Sequence, residues 1–178
     1  MESNFNFKNF SIVIPIFNEE EILEESTNAI FSLCKRMEID FEIIFSENGS
    51  TDKTKAIAEE LTNKHPEIKI ISNPEPNYGN ALKTGFKIAK NDLVISFDID
   101  YYSESFLREA LKLESEYSGI TASKRLGSSE DGRRFIRRLA TNFFVILLKT
   151  LFGTKLSDTH GMKAIKKSEI EKFLPKVV

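Results

Sequence analysis

Two carboxylates in this chain, Asp98 and Asp100, stand one residue apart directly after the apolar run Leu93 to Phe97. Carboxylates at alternate positions leaving a strand point to one side, where they can share a hard divalent cation with the oxygens of a diphosphate. Such a cation, Mg²⁺ or Mn²⁺, neutralises charge as a diphosphate departs. The plainer reading is a strand end whose acids are solvated or cap the next helix. Two further polar segments follow apolar runs, Pro15-Ile16-Phe17-Asn18-Glu19-Glu20 and Glu47-Asn48-Gly49-Ser50-Thr51-Asp52. Ligands of an open parallel sheet sit beyond the carboxyl ends of its strands, so these three segments are where chemistry is expected. The second also reads as a turn followed by a helix cap.

The elements that must position them can be read from periodicity. Ser11 to Ile16 is a nearly continuous apolar run rich in β-branched residues, which predicts a strand buried on both faces. Apolar or small residues then recur at Ile22, Ser26, Ala29, Ile30, Leu33 and Met37, the spacing of a helix, after Glu19, Glu20 and Glu21. The unit repeats as strand Phe41 to Phe45, a turn at Asn48-Gly49-Ser50, and a helix from about Asp52 to Lys64 capped by Ser50 or Thr51. Strand Ile68 to Ser72, a Pro- and Asn-rich loop from Asn73 to Asn80, a helix to about Lys90 and strand Leu93 to Phe97 complete the regular part. This alternation predicts an α/β fold with a mostly parallel sheet flanked by helices. Beyond Asp100 the pattern predicts a helix near Glu104 to Tyr117, a strand Gly119 to Ser123, a polar loop Gly127 to Gly132 and an amphipathic helix from about Arg134 to Phe152. A short segment around Met162 to Ile165 and a helical turn follow, with no internal repeat, so a single domain over residues 1–178 is expected.

With 178 residues the chain can bury about 70% of its unfolded surface, so its core needs no disulfide. Its 40% hydrophobic and 29% charged residues exclude a wholly disordered chain. A net charge of -2 gives no reason to expect a nucleic-acid partner. The single cysteine, Cys34, falls in a helical pattern, and residues 1–10 carry neither the basic start nor the apolar core of a secretion signal. A cytoplasmic location follows as the expectation. The longest apolar run, Phe143 to Leu148, is far shorter than the roughly 20 residues needed to cross a bilayer.

Taken in order, the strand ends resemble glycosyltransferase family 2, which has the GT-A fold. Ile14-Pro15-Ile16-Phe17-Asn18-Glu19-Glu20 looks like that family's first nucleotide-binding loop and Glu47-Asn48-Gly49-Ser50-Thr51-Asp52-Lys53-Thr54 like its second. Asn77-Tyr78-Gly79-Asn80-Ala81-Leu82-Lys83-Thr84-Gly85 resembles the loop and helix start along the donor, and Asp98-Ile99-Asp100 the metal-binding Asp-x-Asp motif. The resemblance implies that Pro15, Phe17, Asn18 and Glu19 border the nucleoside, with Glu47 and Asn48 near the base. Gly79 and Lys83 would lie along the donor, and Asp98 and Asp100 would hold Mg²⁺ or Mn²⁺. The family usually has two aspartates where this chain has Glu47 and Asn48, which leaves GDP and UDP both open.

The C-terminal third resembles the acceptor half of dolichyl- or polyprenyl-phosphate mannose or glucose synthases, through Lys124, Arg125, the Arg133 to Arg138 cluster and the Ser157 to Lys163 segment. A lipid monophosphate needs cations, and bidentate arginine suits its geometry. Arg134 and Arg138 are one turn apart on the expected helix, which continues through Phe143, Phe144, Ile146, Leu147 and Leu151 as an apolar stripe fit for a membrane face or, as such stripes more often are, for a core. Asp158 and His160 are assigned to acceptor positioning. The expectation is therefore an inverting transferase of a sugar from a GDP- or UDP-linked donor to a polyprenyl phosphate, peripheral to the cytoplasmic face of a membrane. Residues 8–102 would form its donor half and 103–178 its acceptor half. A transferase acting on a soluble acceptor, or a non-catalytic nucleotide-sugar-binding domain, is the alternative; the stop at Val178, where such relatives usually continue, favours the latter.

Overall fold

The computed structural model describes residues 5–122 and 161–174. The apolar run at Ser11 to Ile16 becomes β1, Asn9–Ile16, with Phe10 to Ile14 buried. β2, Asp40–Glu47, pairs with it in parallel along its whole length, and β3, Ile68–Ser72, adds in parallel beyond β2. On the other side of β1 lies β4, Leu93–Ser96, again parallel and buried at every residue. A strand hemmed in on both edges and both faces can carry a run such as Leu-Val-Ile, because none of it meets water.

β5, Gly119–Thr121, and β6, Lys163–Lys166, close the sheet in the order β3-β2-β1-β4-β6-β5. β6 runs antiparallel to β4, pairing Leu93 with Lys166 and Ser96 with Lys163. The sheet is thus mostly parallel, as expected, with one reversed interior strand. The chain divides into two compact units, Met1–Ile120 with Met162–Val178, and Thr121–Gly161; nearly all the described residues belong to the first.

Side-chain alternation assigns the helices to faces. Phe10, Ile12 and Ile14 pair with Phe41, Ile43 and Phe45, and Phe31 of α1, Leu23–Lys35, meets Phe41 edge-on with ring centroids 5.5 Å apart. α1 therefore covers that face. Its first turn carries Glu24 and Glu25 and its last Lys35, which suits the helix dipole at both ends. Cys34 is wholly buried among these apolar groups. α2, Thr54–Lys64, buries Thr54, Ala58 and Leu61 and packs beside α1 and β3.

The opposite face presents Val13, Ile44 and Val94, which cluster with Ala89, Phe86 and Ile170. These come from the end of α3, Tyr78–Ile88, and from α5, Lys167–Phe173. Gly85 of α3 lies so close to β1 that a Cβ there would stand 2.4 Å from Val13 Cγ1. The helix axis approaches the sheet only because this position lacks a side chain. α4, Glu104–Leu111, buries Phe106, Leu107, Ala110 and Leu111.

Several boundaries differ from the sequence reading. α1 starts at Leu23 because the Glu19 carbonyl is taken by the amides of Ile22 and Leu23 in a separate turn. α4 ends at Leu111, not near Tyr117, since Glu114 to Tyr117 offers no residue to bury. The cap of α2 is not Ser50 or Thr51: Asp52 Oδ1 accepts the Thr54 amide at 2.9 Å. The polar loop at 127–132 and the helix expected from Arg134 lie outside the described residues.

One buried polar cluster sits under α3. Glu42, 6% exposed, accepts Ser11 Oγ at 2.7 Å and the Lys90 amide at 2.7 Å through one oxygen, and Lys69 Nζ through the other. Burial alone would raise this carboxyl, but hydrogen bonds from Lys69, Lys90 and Ser11 outweigh it and hold its pKa below the usual carboxylate value.

Candidate active site

β1, β2 and β4 run in the same direction, so their carboxyl ends, at Ile16, Glu47 and Ser96, open on one edge of the sheet. The two loops after β1 and β2 are tied together there. Asn18, in the left-handed region at φ 55, accepts the Thr51 amide on Oδ1 at 2.9 Å and donates its own amide to Ser50 Oγ at 3.2 Å. Asparagine tolerates that conformation better than most residues. Glu19 N donates to Thr54 Oγ1 at 2.7 Å, and the Glu20 carboxylate accepts the Lys53 amide at 2.9 Å.

Glu47 and Asn48, expected near the base, are turned inward. Glu47 is 3% exposed and its Oε1 accepts the Ser50 amide at 2.6 Å. Asn48 is 5% exposed; its Oδ1 accepts the Asn77 amide at 2.8 Å, which ties the β2 loop to the start of α3. Gly49, between that loop and the Pro74 to Pro76 stretch, has φ +76, and a Cβ there would meet Pro74 O at 3.1 Å. Asn73 fixes the same stretch by donating Nδ2 to the Glu47 carbonyl at 3.1 Å and accepting Thr84 Oγ1 at 3.1 Å. Asn73 carries no mark in the sequence, where it looks like an ordinary loop asparagine.

The two aspartates do not sit on an extended strand. β4 stops at Ser96, the Phe97 amide still donates to Val13 O at 3.1 Å, and a tight turn follows in which the Tyr101 amide donates to Asp98 O at 3.0 Å. Ile99 is buried, Asp98 is half-buried and Asp100 is exposed, so both carboxylates point away from the core by a different route than strand alternation. Burial raises the Glu19 carboxyl, and the negative charges of Asp100, Asp52 and Asp98 raise it further. Glu19, on the loop after β1, therefore lies within the field of acids that follow β2 and β4.

Tyr78, the first residue of α3, reaches this cluster: its hydroxyl donates to Asp98 Oδ1 at 3.0 Å. Partial burial, then the charge of Asp98 and the hydrogen bond to it, raise the phenol pKa. Twenty residues separate the two in sequence, and no motif there links them.

The structure thus gathers Asn18, Glu19, Asp98 and Asp100, with Pro15 and Phe17 leading into the loop and Gly79 in the first turn of α3. Phe17 is 40% exposed. Lys83 instead lines a cavity of about 420 Å³ with Phe86, Lys87, Lys167, Ile170 and Leu174. Lys124, Arg125, Arg134, Arg138, Asp158 and His160 lie outside the described residues.

A divalent ion is compatible with this donor set. Oxygen-only ligands suit Mg²⁺ and Mn²⁺ rather than softer metals, and the acids accumulate negative charge that a cation would relieve. Among the described residues no three of His, Cys, Asp and Glu converge into a closed cage. An ion bound through one or two carboxylates normally completes its shell with phosphate oxygens and water.

The family model for glycosyl transferase family 2 matches residues 11–174, a span that includes every strand end described above. The chain belongs to this family. Among curated relatives of this family-2 chain is the undecaprenyl-phosphate 4-deoxy-4-formamido-L-arabinose transferase of Pectobacterium carotovorum, 36% identical over 160 residues, or 86% of this chain and 47% of that protein. The transferase of the same description from Proteus mirabilis is 29% identical over 152 residues, 83% of this chain and 45% of its own length. The chain spans about half the length of the curated relatives it matches. Among solved structures, the mannosyltransferase PcManGT from Pyrobaculum calidifontis, in complex with GDP-Man and Mn²⁺, aligns with a TM-score of 0.64 at 17% identity, over 96% of this chain and 48% of that one. Glucosyl-3-phosphoglycerate synthase from Mycobacterium tuberculosis, in complex with Mn²⁺, UDP and phosphoglyceric acid, aligns at 0.66 with 22% identity, over 90% and 56%. At such identities the likeness establishes the fold, which is GT-A.

Proposed function

We propose that this chain is the catalytic domain of an inverting glycosyltransferase that moves a sugar from a nucleoside-diphosphate donor to a polyprenyl phosphate. The observation that carries the reading is the placing of Asp98 and Asp100 in the turn after β4, with Glu19 of the β1 loop within their field, at the carboxyl edge of a parallel sheet, where donors bind in such folds. The names of the curated relatives, which are undecaprenyl-phosphate sugar transferases, support the acceptor class. The Mn²⁺ and nucleotide present in the two solved neighbours support the donor class.

In this reading residues 8–102 form the donor half and 103–178 the acceptor half. Asp98 and Asp100 hold Mg²⁺ or Mn²⁺, which when bound offsets the charge developing on the leaving diphosphate. Pro15, Phe17, Asn18 and Glu19 border the nucleoside. Glu47 and Asn48, whose side chains bond internally, give the loop its shape, and Gly79 lies toward the donor. Lys124, Arg125, Arg134 and Arg138 hold the acceptor phosphate, with Asp158 and His160 positioning it. One phosphate oxygen bonds to the anomeric carbon as the bond from that carbon to the diphosphate oxygen breaks, its electron pair leaving with the nucleoside diphosphate. The attacking phosphate is already ionised at neutral pH, so no strong base is required. No described helix is long and apolar enough to cross a membrane, and contact with the cytoplasmic face is assigned to the acceptor half.

The test is calorimetric. UDP and GDP are each titrated into the chain with and without Mn²⁺, then into the Asp98→Asn/Asp100→Asn variant. A Mn²⁺-dependent affinity for one nucleotide, lost by at least tenfold in a variant that unfolds at the parent temperature, is expected; undiminished affinity in the variant refutes the reading. Sugar transfer to undecaprenyl phosphate but not to water-soluble glycans then checks the acceptor.

A further inference from the structure

We propose that Tyr78 is a positioning residue for the metal-binding carboxylate of Asp98, and that through it the start of α3 sets the affinity of the site for a divalent ion. The proposal rests on the functional reading above and deepens it.

The contact is a single hydrogen bond, Tyr78 hydroxyl to Asp98 Oδ1, at 3.0 Å. What makes it more than a surface contact is the rigidity of what stands behind it. Asn77, the residue before Tyr78, caps α3 by accepting the Asn80 amide on Oδ1 at 2.9 Å, and its own amide is held by Asn48 at 2.8 Å. The carbonyl of Asn77 accepts the Ala81 amide at 2.9 Å, and Ser46 Oγ donates to Ala81 O at 2.7 Å. Tyr78 thus projects from a frame bonded to β2 at both its loop and its last turn of strand. Tyr78 is 52% exposed, so burial of an apolar ring is not its main contribution.

Asp98, by contrast, lies in a four-residue turn with an exposed neighbour in Asp100. A carboxylate there has two side-chain torsions to lose before it can bind an ion. Donation to Oδ1 removes that freedom beforehand while leaving one lone pair on Oδ1 and both on Oδ2 for a cation. Groups that orient a metal ligand in this way typically contribute about 10- to 100-fold to metal affinity. Phenylalanine at 78 would keep the ring and lose the orientation.

The experiment uses the full chain, with Mn²⁺ uptake followed by loss of the free-ion paramagnetic resonance signal, in the presence of UDP and, separately, of GDP. Tyr78→Phe is expected to weaken Mn²⁺ binding about tenfold, at the low end of the range for such groups, with no change in thermal midpoint. A residue of purely structural consequence would move the midpoint and leave the ion affinity alone. Equal or tighter Mn²⁺ binding by Tyr78→Phe overturns the proposal while leaving the functional reading intact. Absence of Mn²⁺ uptake by the parent chain with either nucleotide overturns both, so the two failures are told apart.

Discussion

Adding one methyl group at Gly85 tests how firmly α3 is seated on the sheet. The methyl carbon of Gly85→Ala would stand 2.4 Å from Val13 Cγ1 and 3.5 Å from both Val13 Cβ and Cγ2. Carbons are comfortable at about 3.5–4.0 Å, so at least about 1.1 Å must be found. Valine has one preferred side-chain torsion and Val13 is fully buried, so neither rotation nor escape into solvent is free. Overpacking of this kind costs about 1–3 kcal/mol, against a helix-propensity gain of about 1 kcal/mol for Gly to Ala. The net expectation is a loss of up to about 2 kcal/mol, or up to roughly 8 °C in thermal midpoint for a chain of this size. Urea titration followed by far-UV circular dichroism measures it. Val13→Ala alone should also destabilise, by removing buried methyl groups, yet the double variant should recover at least about 1 kcal/mol relative to the sum. Stabilisation by Gly85→Ala, or additivity within about 0.5 kcal/mol, would show that the helix has room to move and that the reasoning is wrong.

Replacing Glu42 by Gln should cost about 2 kcal/mol at neutral pH, because a buried acceptor of charge-assisted bonds becomes neutral. The folded-state pKa of Glu42 lies below its unfolded value, so its contribution is present above about pH 4.3 and fades as pH falls through the lowered pKa. Urea midpoints at pH 7 and below pH 4 should therefore converge between parent and variant; a constant difference contradicts the assignment. Burial pushes the Cys34 thiol up to about 12, Arg36 pulling slightly the other way. Iodoacetamide at pH 8 is expected to leave the folded chain unmodified and to alkylate it completely in denaturant, as mass spectrometry would record.

The strands of residues 8–102 were legible in the sequence because two signals coincided. The runs at Ser11 to Ile16 and Leu93 to Phe97 are apolar at consecutive residues, which only a strand covered on both faces explains, and polar residues begin where each run stops. Strand ends and candidate ligands were therefore the same places. Less visible was anything set by contacts between distant segments. The inward turn of Glu47 and Asn48 depends on the amides of Ser50 and Asn77, and the link from Tyr78 to Asp98 depends on where α3 docks. The reversed direction of β6 was also hidden: four residues of mixed character, Lys163 to Lys166, carry no mark of the neighbour they will pair with. Even the aspartate pair was located for a reason that the turn at Asp98 to Tyr101 replaces with another.

That reversed strand bears on how the molecule comes into being. The outer border of Leu93–Ser96 is sealed only by Lys163–Lys166, a segment made long after it. During synthesis the strand that leads into Asp98 presents an apolar, unpaired rim, the kind of surface on which nascent chains aggregate. Bringing the seal home means closing a long loop, a slow step by the usual dependence of folding rate on sequence separation. Maturation of the acidic turn is accordingly expected to be late, and chaperone dependence to concentrate at this one seam.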